Sequence, residues 1–227
     1  MGRRRGAILI NSEENNVAHS NAAVGLFAAG IIACVAPIAH AADAANPDWP
    51  CIQRKVATLT SVQMWDGPAV DDLSQWSDNE ETRKLVAVLV SRRVPLEQAA
   101  TSIAQFAAAQ PQDKRDESLK NLFAGLLSTV NTDRATVMSG LESFQRRQKA
   151  RAAEIERQDG VLRQLKERAA ADEKARAELA AAEDRHNWDI RVFTERQQSL
   201  PLACEVPVVI EQRLFELGRE IRSHMSE

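Results

Sequence analysis

Three kinds of side chain in this sequence have the reactivity to do chemistry: thiols, imidazoles and clustered carboxylates. The thiols come first. Of three cysteines, Cys34 lies in an apolar N-terminal run, which leaves Cys51 and Cys204 far apart in the remaining chain. Dithiol redox chemistry needs a second cysteine two residues away, and Pro50-Cys51-Ile52 supplies none. The pair is therefore expected to form a structural disulfide joining the N- and C-terminal segments. Beyond the apolar run the histidines are His186 and His224, neither with a neighbouring ligand pattern. No HExxH, glycine-rich phosphate loop or GxSxG is present. Asp71-Asp72 and Asp78-Asn79-Glu80-Glu81 lack the glycine and spaced oxygens of a calcium loop. The expectation is no catalytic constellation, no metal ligands and no cofactor.

Trp49, Trp65 and Trp76 fall in turn-rich sequence, within Asp48-Trp49-Pro50 and Met64-Trp65-Asp66-Gly67-Pro68 among others, while Trp188 stands alone. Tryptophan in an irregular segment fastens that segment onto a helix. The competing reading makes Trp49 and Trp65 a partner surface, because aromatic anchors dominate interfaces. The run Arg146-Arg147-Gln148-Lys149-Ala150-Arg151 is read as a solvated face.

Residues Val24 to Ala42 form an uncharged apolar run ending in Ala39-His40-Ala41, with Arg3-Arg4-Arg5 upstream. That order of positive, apolar and small-x-small segments is an export signal, expected to be cleaved after Ala41. Ile31-Ile32-Ala33-Cys34 also resembles a lipobox, and Arg4-Arg5 a twin-arginine pair, although the apolar run begins well downstream of it. Membrane contact is expected only if the leader is retained or Cys34 is lipidated. Removing residues 1–41 leaves 26 basic against 30 acidic side chains. A mildly acidic chain of mixed sign makes no basic stripe, which excludes nucleic acid as a partner and disfavours anionic lipid surfaces. With no tyrosine and 4% aromatic residues, a large globular core is not expected, and extended helices packed through Leu, Ile, Val and Ala fit better.

The elements that position these residues read as helices throughout. A turn-rich segment, 42–76, contains a short helix over Thr60–Asp66. A short-helix region, 77–133, holds a helix from Asn79 to Arg92, with Asp78 as N-cap and Glu81 completing a capping box, and a second from Pro95 to Pro111. Asn131-Thr132-Asp133 reads equally as a turn or as mid-helix. A long arm, 134–199, carries one heptad frame. One seam is Leu141, Gln148, Ile155, Leu162, Ala169, Arg176, Glu183, Ile190; the other is Phe144, Arg151, Gln158, Leu165, Asp172, Leu179, His186, Phe193. Polar gaps in both seams point to intermittent packing rather than a strong coiled coil. Leu200-Pro201 is expected to break the arm, and Pro207 to open a last helix within 200–227 that returns to the head.

The fold expected is all-α: a small helical head built from both chain ends plus a long coiled-coil-like arm. The function expected is that of an exported protein of the bacterial cell envelope, located in the periplasm. It would act as a structural or interaction protein (adaptor, scaffold or assembly factor) through helix contacts, with a protein partner or a second copy on the seam residues Leu141, Phe144, Ile155, Leu162, Leu165, Leu179, Ile190 and Phe193. The alternative is a ligand-binding or enzymatic helical domain with its site near Trp49, Trp65 and Asp66.

Overall fold

The computed structural model describes residues 46–70 and 72–226. The expected leader, with Cys34 and the Ala41 cleavage position, lies outside the described residues, as does Asp71. Five helices account for most of the remainder: α1 (Ser61–Met64), α2 (Glu80–Val90), α3 (Leu96–Ala109), α4 (Arg115–Ala169) and α5 (Glu173–Ser223), with a 3-10 turn at Gln75–Asp78. The fold is all-α, and no strand occurs among the described residues.

Local sequence explains most of the boundaries. Asn79, one residue later than expected, caps α2 by accepting a hydrogen bond from the Thr82 amide at 2.9 Å, and Glu80 and Glu81 complement the helix dipole in the first turn. Pro95 immediately precedes α3. Thr60 begins α1 in a capping box with Gln63. The short helix stops at Met64, where Trp65 turns into extended backbone and swings its ring into the core. Asn131-Thr132-Asp133 is mid-helix: α4 passes straight through it, with the Thr132 and Thr136 hydroxyls bonding carbonyls one turn back.

Two expectations about the arm are overturned. The frame from Leu141 to Phe193 is not one helix. It stops at Ala170–Ala171, and Asp172 caps a second helix by accepting from the Lys174 amide at 2.9 Å. The chain folds back, so that the two halves of the frame pack on each other as an antiparallel hairpin. Nor does Pro201 break anything. Both Pro201 and Pro207 lie inside α5, which runs 51 residues from the turn to the head. Each proline removes the N–H that would bond the carbonyl four residues back, a cost of about 3 kcal/mol in a free helix. Tertiary packing along α4 and the disulfide at Cys204, between the two prolines, hold the helix through both.

The head forms where α1, α2, α3 and the 3-10 turn pack against the first half of α4 and the last third of α5. Its centre is Leu89, Ile103, Leu119, Leu122, Phe123, Leu126, Leu214, Leu217 and Ile221, all buried. Trp65 stacks on Phe123 with ring centroids 4.1 Å apart and planes 5° from parallel. Two glycines permit this packing. A Cβ at Gly125 would stand 2.8 Å from the Trp76 ring and Val86, and one at Gly218 would stand 3.1 Å from the Met64 carbonyl and Phe123. Beyond the head, α4 and α5 continue as a bare hairpin of roughly 30 Å.

Candidate functional site

The α4–α5 pair presents two grooves, and they differ. One is filled by the N-terminal segment, residues 46–59, which runs antiparallel to α4 as an extended strap. At its head end the Asn131 side chain acts like a peptide group, accepting from the Leu59 amide at 2.9 Å and donating to the Leu59 carbonyl at 3.0 Å. Three residues along α4, Arg134 donates to the Val56 carbonyl at 3.0 Å and holds Glu211 of α5 through Nε (2.9 Å) and Nη2 (2.5 Å). Arg134 is 1% exposed. Lys55 pairs with Glu142. Cys51 is bonded to Cys204 across 153 residues of sequence, with Cα atoms 5.6 Å apart. At the far end Lys149 donates to the Pro47 carbonyl (2.7 Å) and to Asp48 (2.9 Å), with Arg146 at 3.5 Å. The Lys149 hydrogen bond, helped by Arg146, holds the Asp48 carboxyl below the usual carboxylate range. So the run Arg146–Arg151, read from sequence as a solvated face, supplies the strap's last anchor.

The strap separates the two tryptophans that sequence placed together. Trp49 sits at the level of Lys149, half-buried, its indole N–H donating to the Gln53 carbonyl at 2.7 Å. Trp65 sits at the level of Phe123, some 26 residues and about 40 Å away along α4. A joint site of Trp49, Trp65 and Asp66 is therefore ruled out. Trp65 is 5% exposed and is an anchor of the head, not a partner surface. An open cleft of about 560 Å³ does lie beside Trp65 and Asp66, bounded by Phe215 and Arg219, with one face of the Trp65 ring covered by Phe123.

Along the hairpin, from the strap to the tip, most of the seam is turned inward. Leu141, Leu162 and Leu165 are buried, Phe144, Ile155, Leu179 and Phe193 half-buried, and Ile190 exposed. Several polar positions of the seams find partners across the hairpin. Gln148 donates to the Phe193 carbonyl at 3.4 Å. Arg151 pairs with Asp189 at 2.7 Å, Gln158 donates to the same Asp189 at 2.8 Å, and Gln158 in turn contacts His186 Nδ1 at 3.3 Å. The other ring nitrogen of His186 is 3.2 Å from Asp159. This chain of contacts gives His186 a register role across the hairpin.

What the hairpin leaves outward is Trp188. It is 60% exposed, with the Arg191 guanidinium 5.8 Å from its ring centroid. Trp188 follows Ala181 and Arg185 at helical spacing, and these border a groove of about 370 Å³ whose opposite wall is Gln158, Val161 and Leu162. Val161 is exposed as well. In the sequence Trp188 stands apart from the three clustered tryptophans, and the signal available was its position off the heptad seam, on the outer face of the helix.

Among the described residues no group of three or more His, Cys, Asp or Glu side chains is placed to hold a metal ion, and no helix is long and apolar enough to cross a membrane. No family model, no curated protein and no solved structure matches this chain.

Proposed function

We propose that this is an exported interaction protein of the bacterial cell envelope, a rigid helical head that presents the α4–α5 hairpin to a protein partner. The observation that carries the reading is Trp188, a large aromatic left 60% exposed on the outer face of the hairpin. Exposed tryptophans flanked by arginine are the side chains that most often dominate interface energy. Arg191 borders it, Arg185 lies one helical turn before it at the edge of the neighbouring groove, and Val161 is exposed on α4 across that groove.

The periplasmic location rests on two supports. The leader read from the sequence directs export, and the Cys51–Cys204 disulfide belongs to an oxidising compartment. The action is by contact, not by bond-making, because the inward seams, the strap and the head all serve to hold one surface rigid. Capture of partners from envelope extracts by the intact chain tests this. Trp188→Ala should reduce the captured partner by a factor of ten or more, a typical loss for an aromatic anchor, while leaving the melting temperature unchanged. Equal capture by both forms would refute the assignment.

A further inference from the structure

The groove opposite the strap is open over the same stretch of α4 and α5. Its floor is Val137, Gly140, Leu141 and Phe144 from α4 with Leu200, Ala203 and Val206 from α5, enclosing about 390 Å³. At Val137 it continues toward the head into a second cavity of about 260 Å³, where Ile210 and Leu214 are joined by Arg92, Asp133 and Arg213. Val137 lines both cavities, and the spacing 133, 137, 140, 144 on α4 and 213, 210, 206, 203 on α5 sets them end to end along one face of the helix pair, about 16 Å from Asp133 to Phe144.

Arg213 is the unusual group in it. Its Nε donates to the Leu89 carbonyl at the end of α2 (2.8 Å), but Nη2 is buried with no hydrogen-bond partner among the described residues. No carboxylate pairs with Arg213 or Arg92 among the described residues, and burial lowers the Arg213 pKa from its ordinary value. A buried guanidinium N–H without an acceptor calls for an explanation, and an anion is the natural one. Asp133 stands at the exposed rim, so two cations face one carboxylate there.

The apolar part of the groove decides what the anion is attached to. Across the hairpin, the strap's extended backbone is satisfied by side chains, Asn131 for Leu59 and Arg134 for Val56. The open groove offers only Ser199 and Arg147, both at its far mouth, and is apolar from Val137 to Phe144, so a peptide laid along that stretch would bury unpaired N–H and C=O groups. An acyl chain has none to bury. We propose that the open groove binds a free fatty acid of medium chain length, its carboxylate on Arg213 and Arg92 and its acyl chain along Val137, Gly140, Leu141 and Phe144. This site does not depend on Trp188 or on any protein partner.

Titration calorimetry of the intact chain with laurate, kept below its micelle-forming concentration, tests the proposal. Dodecanol serves as the uncharged chain and acetate as the chainless carboxylate. Laurate should bind one per chain, and both controls at least about tenfold more weakly, the usual worth of a charged hydrogen bond or of a buried chain. Gly140→Phe should abolish binding without harming the fold, because a Cβ at that position meets nothing within 4 Å. Arg213→Gln should weaken laurate by about tenfold or more. Because that change also touches the end of α2, Arg92→Gln is its exposed companion and should weaken laurate in the same direction. Arg147→Gln, at the far mouth, should change nothing. No binding of laurate, equal binding of dodecanol, binding that survives Gly140→Phe, or loss confined to Arg147→Gln would each overturn it.

Discussion

Arg134 shows how much a single residue can organise. It is charged, it sits in the middle of the longest helix, and it is almost wholly buried, yet it ties three segments together: α4 to which it belongs, the strap through Val56, and α5 through Glu211. Its Nη1 has no partner among the described residues, so the site is already under-satisfied. Removing the one carboxylate that compensates it should therefore be expensive. Glu211→Ala is expected to destabilise by about 3 kcal/mol, the low end for breaking a buried pair, because a third of the Glu211 side chain remains in water. Chemical denaturation at neutral pH checks the value. Replacing both partners together, Arg134→Met with Glu211→Leu, should cost much less, since no buried charge is then left unpaired. Nothing in the sequence flagged this pair. An arginine and a glutamate 77 positions apart look like two more surface charges until the helices are placed.

At the scale of elements, the short helices were legible because their ends are written in local chemistry: Asn79 and Thr60 at starts, Pro95 ahead of α3, Pro111 after it. The long ones were not, for two physical reasons. The turn at Ala170–Asp172 is entered through a run of alanines, the strongest helix formers, with Asp172 the one capping residue, and alanine at 169 and 175 is buried where the two helices approach at the tip. A heptad frame does not change phase when its two halves fold onto each other, so periodicity could not report the reversal. Pro201 misled in the opposite direction, since a local hydrogen-bond loss was outweighed by packing over 51 residues. The disposition of the seam leads to a definite expectation. Leu162→Asp with Leu165→Asp places two charges between the helices near the tip, so hydrogen exchange should accelerate across roughly residues 150–190 while the head keeps its protection. Uniform loss of protection throughout the chain would mean that hairpin and head are one cooperative unit.

For the molecule as a whole, the disulfide is the feature with the longest reach. It closes 153 residues of sequence between the strap and α5, and in the chain-entropy view such a loop contributes about 5 kcal/mol by restricting the unfolded ensemble. That rivals the entire stability of many small domains. The strap's other attachments are hydrogen bonds and ion pairs, several of them exposed, and these alone contribute little. Of the candidate sites, this covalent one was legible because a leader-like N-terminal run sets Cys34 apart and leaves two thiols with few options. It could not identify Trp188 or Arg213, whose significance lies in what surrounds them and not in their type.

The same bond also decides how the chain answers a pull. Held by residues 46 and 226, the intact protein can lengthen only through the few residues before Cys51 and the short run after Cys204, because everything between is a covalent ring. Force therefore bypasses α1 to α4 and is borne by two sulfur atoms. Reduced, the same chain would surrender a further extension of about 500 Å as the head and hairpin unravel. Single-molecule stretching before and after a reducing agent should show that long step appear, and Cys51→Ser should show it from the outset.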